Sequence, residues 1–165
     1  EVIEACRSEV GSDFPIILRW SQWKQQDFTA RLASTPQLLE AFLQPLIDAG
    51  VDAFHCSQRR FWEPEFDDSD MNLAGWVKKL TGMPTITVGS VSLDQDFVSQ
   101  PSEGDGATSE PASIDRLLEM MDRGDFDLVA VGRALIANPD WPKVVRSGDT
   151  AGLQAFNKDL LAELT

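Results

Sequence analysis

Asp127-Leu128-Val129-Ala130-Val131-Gly132-Arg133-Ala134-Leu135-Ile136-Ala137-Asn138-Pro139-Asp140-Trp141 is the stretch that decides how this chain folds. It opens as a short buried strand, stops at Gly132-Arg133, makes one helical turn and starts a second helix at Asn138-Pro139-Asp140. A strand that ends in glycine and turns straight into a helix is a place to hold a phosphate. The amides point outward, the helix dipole favours an anion, and glycine lets a ligand approach the main chain. Arg133 adds a planar donor fork suited to phosphate oxygens or to the edge of a flat heterocycle. Taken alone, the segment reads at least as well as a strand closed by glycine beside a surface arginine, so its meaning depends on what precedes it.

What precedes it is a rhythm of short β-rich runs, each followed by a longer helical one. Phe14-Pro15-Ile16-Ile17-Leu18-Arg19-Trp20 is nearly continuous in apolar residues, as a parallel strand covered by helices should be. Its helix is expected over residues 36–49, with Ser34 or Thr35 as cap, Pro36 in the first turn and Gly50 as stop. Val51-Asp52-Ala53-Phe54-His55-Cys56-Ser57 forms the second strand and residues 73–81 its helix, closed by Gly82. Pro84-Thr85-Ile86-Thr87-Val88-Gly89 is the third strand, with a helix over 112–123 capped by Gly124. Residues 128–131 are the fourth, and a terminal helix is expected over 150–164. The polar segment 99–113, rich in Gly, Ser, Pro and acid, reads as a mobile surface loop.

Alternating β and α with helix-length connections implies parallel strands and right-handed crossovers. An open doubly wound sheet and part of a (β/α)8 barrel both satisfy that pattern, and the glycines separate them. A dinucleotide-binding sheet carries its Gly-rich turn after the first strand, and nothing of that kind follows Trp20. Here the glycine-ended strands are the last two, at Gly89-Ser90 and Gly132-Arg133. Barrels build their common phosphate site from the loops after strands seven and eight plus a short extra helix. The fold expected is therefore α/β: four parallel βα units forming the C-terminal half of a (β/α)8 TIM barrel. Residues 1–165 would make a single, incomplete domain. The opening Glu1-Val2-Ile3-Glu4-Ala5-Cys6-Arg7 has no initiator Met and reads as a helix already under way.

Composition narrows the function classes. The 165 residues carry 14 basic and 27 acidic side chains, for a net charge of −13, a field that repels nucleic acid and anionic membranes. Any phosphate must then be held locally, by amides and one or two arginines. With Cys6 and Cys56 as the only cysteines, a reducing cytoplasm is expected rather than a secreted disulfide scaffold. No apolar run reaches membrane-spanning length.

Arg19 ends an otherwise apolar strand and should point into a barrel mouth. Trp20, Trp23, Phe61, Trp62 and Phe66 sit in or beside the first two mouth loops, where they either roof a flat ligand or pack the loops, with packing the simpler reading. His55 reads as a satisfied interior residue rather than a base, and Cys56 as a buried thiol. Glu63, Glu65, Asp67, Asp68 and Asp70 read as a solvated loop whose spacing matches no metal site.

Leu18-Arg19-Trp20-Ser21, Val88-Gly89-Ser90-Val91 and the 127–141 stretch together resemble the Old Yellow Enzyme family, the NADH:flavin oxidoreductases and ene-reductases. The resemblance covers nearly the whole chain as the C-terminal half of such a protein. It implies an FMN-binding barrel reduced by NADH or NADPH that passes hydride to the activated alkene of an enone or similar small molecule. Arg19 then matches the arginine at the N1–O2 edge of the isoalloxazine, where positive charge stabilises the reduced flavin. Gly89, Ser90, Gly132 and Arg133 match the phosphate-binding turns, and Phe61 and Trp62 the loop on the substrate side. The family's paired His/Asn donors, its proton-donating Tyr and its Thr or Cys near flavin O4 come from the first half of the barrel. This chain has no Tyr, so no catalytic residue is assigned to it.

Two other functions compete: a catalytically inactive half-barrel that binds a phosphate ligand or pairs with another chain, and a non-flavin phosphate-binding lyase or isomerase. Arg19 with Asn138-Pro139-Asp140-Trp141 favours the flavin reading over the last. Raw strand edges at Ile16-Ile17-Leu18 and Leu128-Val129-Ala130-Val131 lead one to expect self-association or pairing with a separate N-terminal half.

Overall fold

A computed structural model describes residues 1–95 and 108–163 of the chain. Helix α1 (Val2–Val10) leads to strand β1 (Ile17–Trp20), α2 (Pro36–Asp48), β2 (Ala53–Ser57), α3 (Leu73–Thr81) and β3 (Thr85–Val88). After these come β4 (Thr108–Ser109), α4 (Asp115–Asp122), β5 (Leu128–Val129), α5 (Arg133–Ala137), α6 (Trp141–Ser147), β6 (Phe156–Asn157) and a 3-10 helix (Lys158–Glu163). Four strands form one parallel sheet in the order β1-β2-β3-β5, the arrangement of a partial barrel.

The caps stand where the sequence puts them. Thr35 accepts a hydrogen bond from the Leu38 amide at the start of α2, and Gly82 closes α3 in the left-handed conformation. Asn72 does more than cap α3. Buried completely, its Oδ1 accepts from the Gly75 amide while Nδ2 donates to the Phe61 carbonyl and to Thr87 Oγ1. One side chain thus ties the helix, the loop before it and β3 together. At the opposite end of the sheet Arg7 joins α1 to the Gly50 carbonyl and to Asp52, which accepts the Ile16 amide in turn.

The sheet has two unlike faces. Phe54, Cys56, Thr85 and Thr87 are buried under the helices, and Trp20 packs on Phe42 of α2 at 5.2 Å between ring centroids. The other face carries Ile17, Arg19, His55, Ser57, Ile86, Val88 and Leu128, related by the registers Arg19↔His55, Ser57↔Val88 and Ile86↔Leu128. Ile17 and Leu128 remain 53% and 58% exposed there. In a closed barrel this face would be interior.

One expectation fails at the C-terminal side. Residues 150–163 are not a long helix: β6 pairs antiparallel with β4, Ser109 opposite Phe156, before the short 3-10 turn. Fully buried Phe156 anchors this ribbon, opposite Ser109 and beside the Arg133 guanidinium. The expected loop over 99–113 lies partly outside the described residues. Its described portion is not loose: β4 belongs to the ribbon, and Asp94 and Ala112 donate their amides to the carbonyls of Glu110 and Ser92.

Candidate functional site

A cavity of about 380 Å3 opens where the parallel strands end. Arg19 reaches it from β1, Ser57 from β2, Gly89 and Ser90 from the turn after β3, and Gly132 and Arg133 from the turn after β5. The five residues expected to bind a cofactor therefore share one cavity, with one arginine on edge strand β1 and the other at the start of α5, just past edge strand β5.

Arg19 is held by two side chains of β2. Its guanidinium lies 2.6 Å from His55 Nε2 and donates to Ser57 Oγ at 3.2 Å. Arginine only donates, so the imidazole accepts through a ring nitrogen, Nε2 being nearer than Nδ1 at 3.4 Å. Burial and then the neighbouring Arg19 charge hold the His55 pKa below its ordinary value, which keeps the ring neutral and fit to accept. His55 is satisfied as expected, but on the open face of the sheet rather than in the interior.

The turn after β3 is strained and tightly fitted. Gly89 has φ +143°, and a Cβ there would lie 2.8 Å from the Gln58 carbonyl oxygen and 3.0 Å from the Phe61 nitrogen. Ser90 and Ser92 adopt left-handed φ of 48° and 61°, uncommon for residues with a side chain. A Cβ at Gly132, by contrast, would meet nothing within 4 Å, so the main chain there is open to a ligand. Helix α5 is only five residues long, so its dipole adds little to the charge at this end of the cavity.

Arg133 Nη1 donates to Ser109 Oγ at 2.6 Å, and Nη2 to the Gln95 carbonyl at 2.6 Å and Ser90 Oγ at 3.4 Å. Its Cζ stands 5.5 Å from the centroid of Phe156. Neither Ser109 nor Phe156 was foreseeable as a neighbour, because the ribbon that carries them joins distant segments. His55 and Ser57 left a fainter signal: alternate residues of a strand adjacent to the one bearing Arg19 share its face.

Phe61 and Trp62 do not line this cavity. Phe61 is 2% exposed, its amide bonds the Gly89 carbonyl, and Trp62 stacks edge-on against it at 5.0 Å, both facing a separate hollow beside Leu93 and Arg116. The Asn72 bond to the Phe61 carbonyl fixes the loop in that orientation. Of the other mouth aromatics, Trp20 packs on Phe42 and Phe66 on Trp76, while Trp23 lines the cavity and meets Phe28.

A smaller hollow of about 130 Å3 adjoins the main one and shares Trp23, Ser57, Gln58 and Arg59 with it. Gln22, 2% exposed, makes a reciprocal pair of hydrogen bonds with the main chain of Ala33 and donates to Glu65 Oε1 at 3.1 Å. Glu65 is thus no solvated loop residue. Burial pushes its carboxyl up to about 7 despite the Arg31 guanidinium 3.6 Å away. Burial likewise raises the Cys56 thiol well above the ordinary range, so it is inert. Among the described residues no group of three or more His, Cys, Asp or Glu side chains could hold a metal ion, and no helix is long and apolar enough to cross a membrane.

No family model matches the chain. Over 156 residues it is 28% identical to an NADH oxidase of Thermoanaerobacter brockii, covering 90% of this chain and 20% of that protein. Its fold matches morphinone reductase in complex with tetrahydroNAD with a TM-score of 0.58 at 17% identity, over 90% of this chain and 33% of that one. It matches the old yellow enzyme from Trypanosoma cruzi with a TM-score of 0.54 at 20% identity, covering 89% and 32%. This chain has the fold of part of the barrel seen in these enzymes. The Zymomonas mobilis Old Yellow Enzyme homologue matches equally well, with a TM-score of 0.54 at 16% identity over 87% and 34% of the two chains. The chain spans about a third of these Old Yellow Enzyme-like structures and a fifth of the curated relative.

Proposed function

We propose that residues 1–165 form the C-terminal, FMN-binding half of a (β/α)8-barrel oxidoreductase. The observation that carries this reading is the convergence of Arg19, Gly89, Ser90, Gly132 and Arg133 on one cavity at the strand ends. The residues present fit the cofactor. Gly132 leaves its main chain bare, Arg133 is directed across the turn after β3, and Arg19 lies at the other edge of the sheet with its charge fixed by a neutral histidine. Arg133 with the two turns would hold the phosphate, and Arg19 the N1–O2 edge of the ring system. When bound, FMN would supply two-electron transfer, taking hydride from NAD(P)H and delivering it to the activated alkene of an enone. The chain's own part is to bind, to orient, and through Arg19 to favour the anionic reduced ring.

The second reading, an inactive half-barrel, concerns the chain by itself. The exposed Ile17 and Leu128 and the free edges of β1 and β5 support pairing, either with a second copy or with an N-terminal half that closes the barrel. Proton donor and substrate-carbonyl donors would come from that half. Two unpaired cysteines accord with a cytoplasmic setting.

Titrating the chain with FMN tests the proposal. Weak binding that moves the amide signals of residues 89–90 and 132–133 is expected, reduced at least tenfold by Arg133→Gln. Binding that leaves those signals unmoved would sink it.

A further inference from the structure

We propose that the β4–β6 ribbon is a positioning device for Arg133, and that Ser109 and Phe156 thereby set the preference of the site for a phosphorylated over an unphosphorylated flavin. The inference rests on the flavin reading above and concerns residues that reading does not use.

The two residues face each other in the ribbon register and both address one guanidinium. Ser109 presents its hydroxyl to Nη1 at 2.6 Å, and Phe156 its ring at 5.5 Å from Cζ. Both are buried, at 2% and 0% exposure, so their own positions are fixed by packing. The ribbon is also stapled to the motif after β5. Asn138 donates to the Gln154 carbonyl at 3.0 Å and accepts the Gln154 amide at 2.7 Å, holding the approach to β6 against the end of α5.

Arginine has a long stem whose freedom is lost when it captures an anion, and that loss weakens binding unless the side chain is ordered beforehand. Here the ordering is done by the protein. Nη2 is simultaneously drawn to the Gln95 carbonyl and to Ser90 Oγ, which places the fork over the turn after β3 where that turn and Gly132 border the same cavity. A ligand with a terminal phosphate gains from a fork aimed in advance. A ligand that ends in a ribityl hydroxyl gains little, so the ribbon should act on discrimination rather than on ring binding.

The test compares FMN with riboflavin, titrated into the 15N-labelled 165-residue chain. Ser109→Ala should weaken FMN binding about tenfold and change riboflavin binding by less than about twofold, with Ser109→Thr recovering most of the loss. In an Arg133→Gln background Ser109→Ala should have no further effect on either ligand. Independently of any ligand, the Arg133 Nε–Hε signal should broaden in Ser109→Ala and in Phe156→Leu as the guanidinium is released. Equal weakening of both flavins, unchanged FMN binding, or an unaltered Nε–Hε signal would overturn the proposal. If the unsubstituted, folded chain binds neither flavin, the flavin reading itself falls and takes this specificity with it. That outcome is distinct because it is already seen without any substitution.

Discussion

Glu65→Gln should stabilise the chain by an amount that grows as pH rises from about 4.5 to about 7. The Glu65 side chain is 8% exposed and its carboxyl titrates at about 7 because burial disfavours its charge. A carboxyl raised on folding binds more protons in the native state than in the unfolded one between the two pKa values, so stability falls as pH rises through that window. The window here runs from about 4.5, the ordinary value, to about 7. At about 1.36 kcal/mol for each pKa unit, the loss is bounded near 3 kcal/mol. Glutamine keeps an acceptor for Gln22 Nε2 but gives up the 3.6 Å approach of Arg31, so a net gain of roughly 1–3 kcal/mol at pH 8 is expected, against little change at pH 4. Urea unfolding of both proteins at pH 4, 6 and 8 reads this as a separation of midpoints that grows with pH. A difference independent of pH, or a Glu65 carboxyl found by 13C NMR to titrate near 4.5, would refute the argument.

Gly89→Ala forces a Cβ to 2.8 Å from the Gln58 carbonyl at φ +143°, and should cost about 3 kcal/mol or more, read as a drop in the urea midpoint. Nitrogen NMR should find His55 as the Nδ1–H tautomer with a pKa below 6.5. Folding stability should then decline as pH falls below 6.5, because the unfolded ring takes up a proton that the folded one resists. Supplied with FMN and NADPH, the purified chain should reduce an enone negligibly, and robust turnover would mean that donors from another half are not needed. Light scattering should show self-association, since the face bearing Ile17 and Leu128 is open, whereas a stable monomer would argue against pairing through it.

The parallel sheet was legible because its signals are local: apolar runs of strand length, Thr35 before a helix, Gly82 and Gly124 after helices. The candidate cavity was legible to the extent that it sits at strand ends, which is why Arg19, Gly89, Ser90, Gly132 and Arg133 could be expected together. The misreadings share a different cause. Leu153, Leu160 and Leu161 give residues 150–164 a helical pattern, yet burying Phe156 beside Arg133 prevails over it. Two-residue strands such as Thr108–Ser109 carry no periodicity at all. Glu65 looked like one acid among several because nothing nearby in sequence announces Gln22, brought from the preceding mouth loop.

The ribbon also bears on the order in which the molecule takes shape. β1, β2 and β3 each need only one intervening helix before they can pair, but Ser109 must wait for α4, β5, α5 and α6 before it meets Phe156. Closing that longer loop is entropically dearer, and contacts of high sequence separation are generally late. Pulsed hydrogen exchange should accordingly protect the amides of Phe54 and Cys56 well before those of the ribbon. A nascent chain would then own a sheet before it owns an aimed Arg133, leaving the rim around Arg133 as the last and most easily unzipped part of the structure.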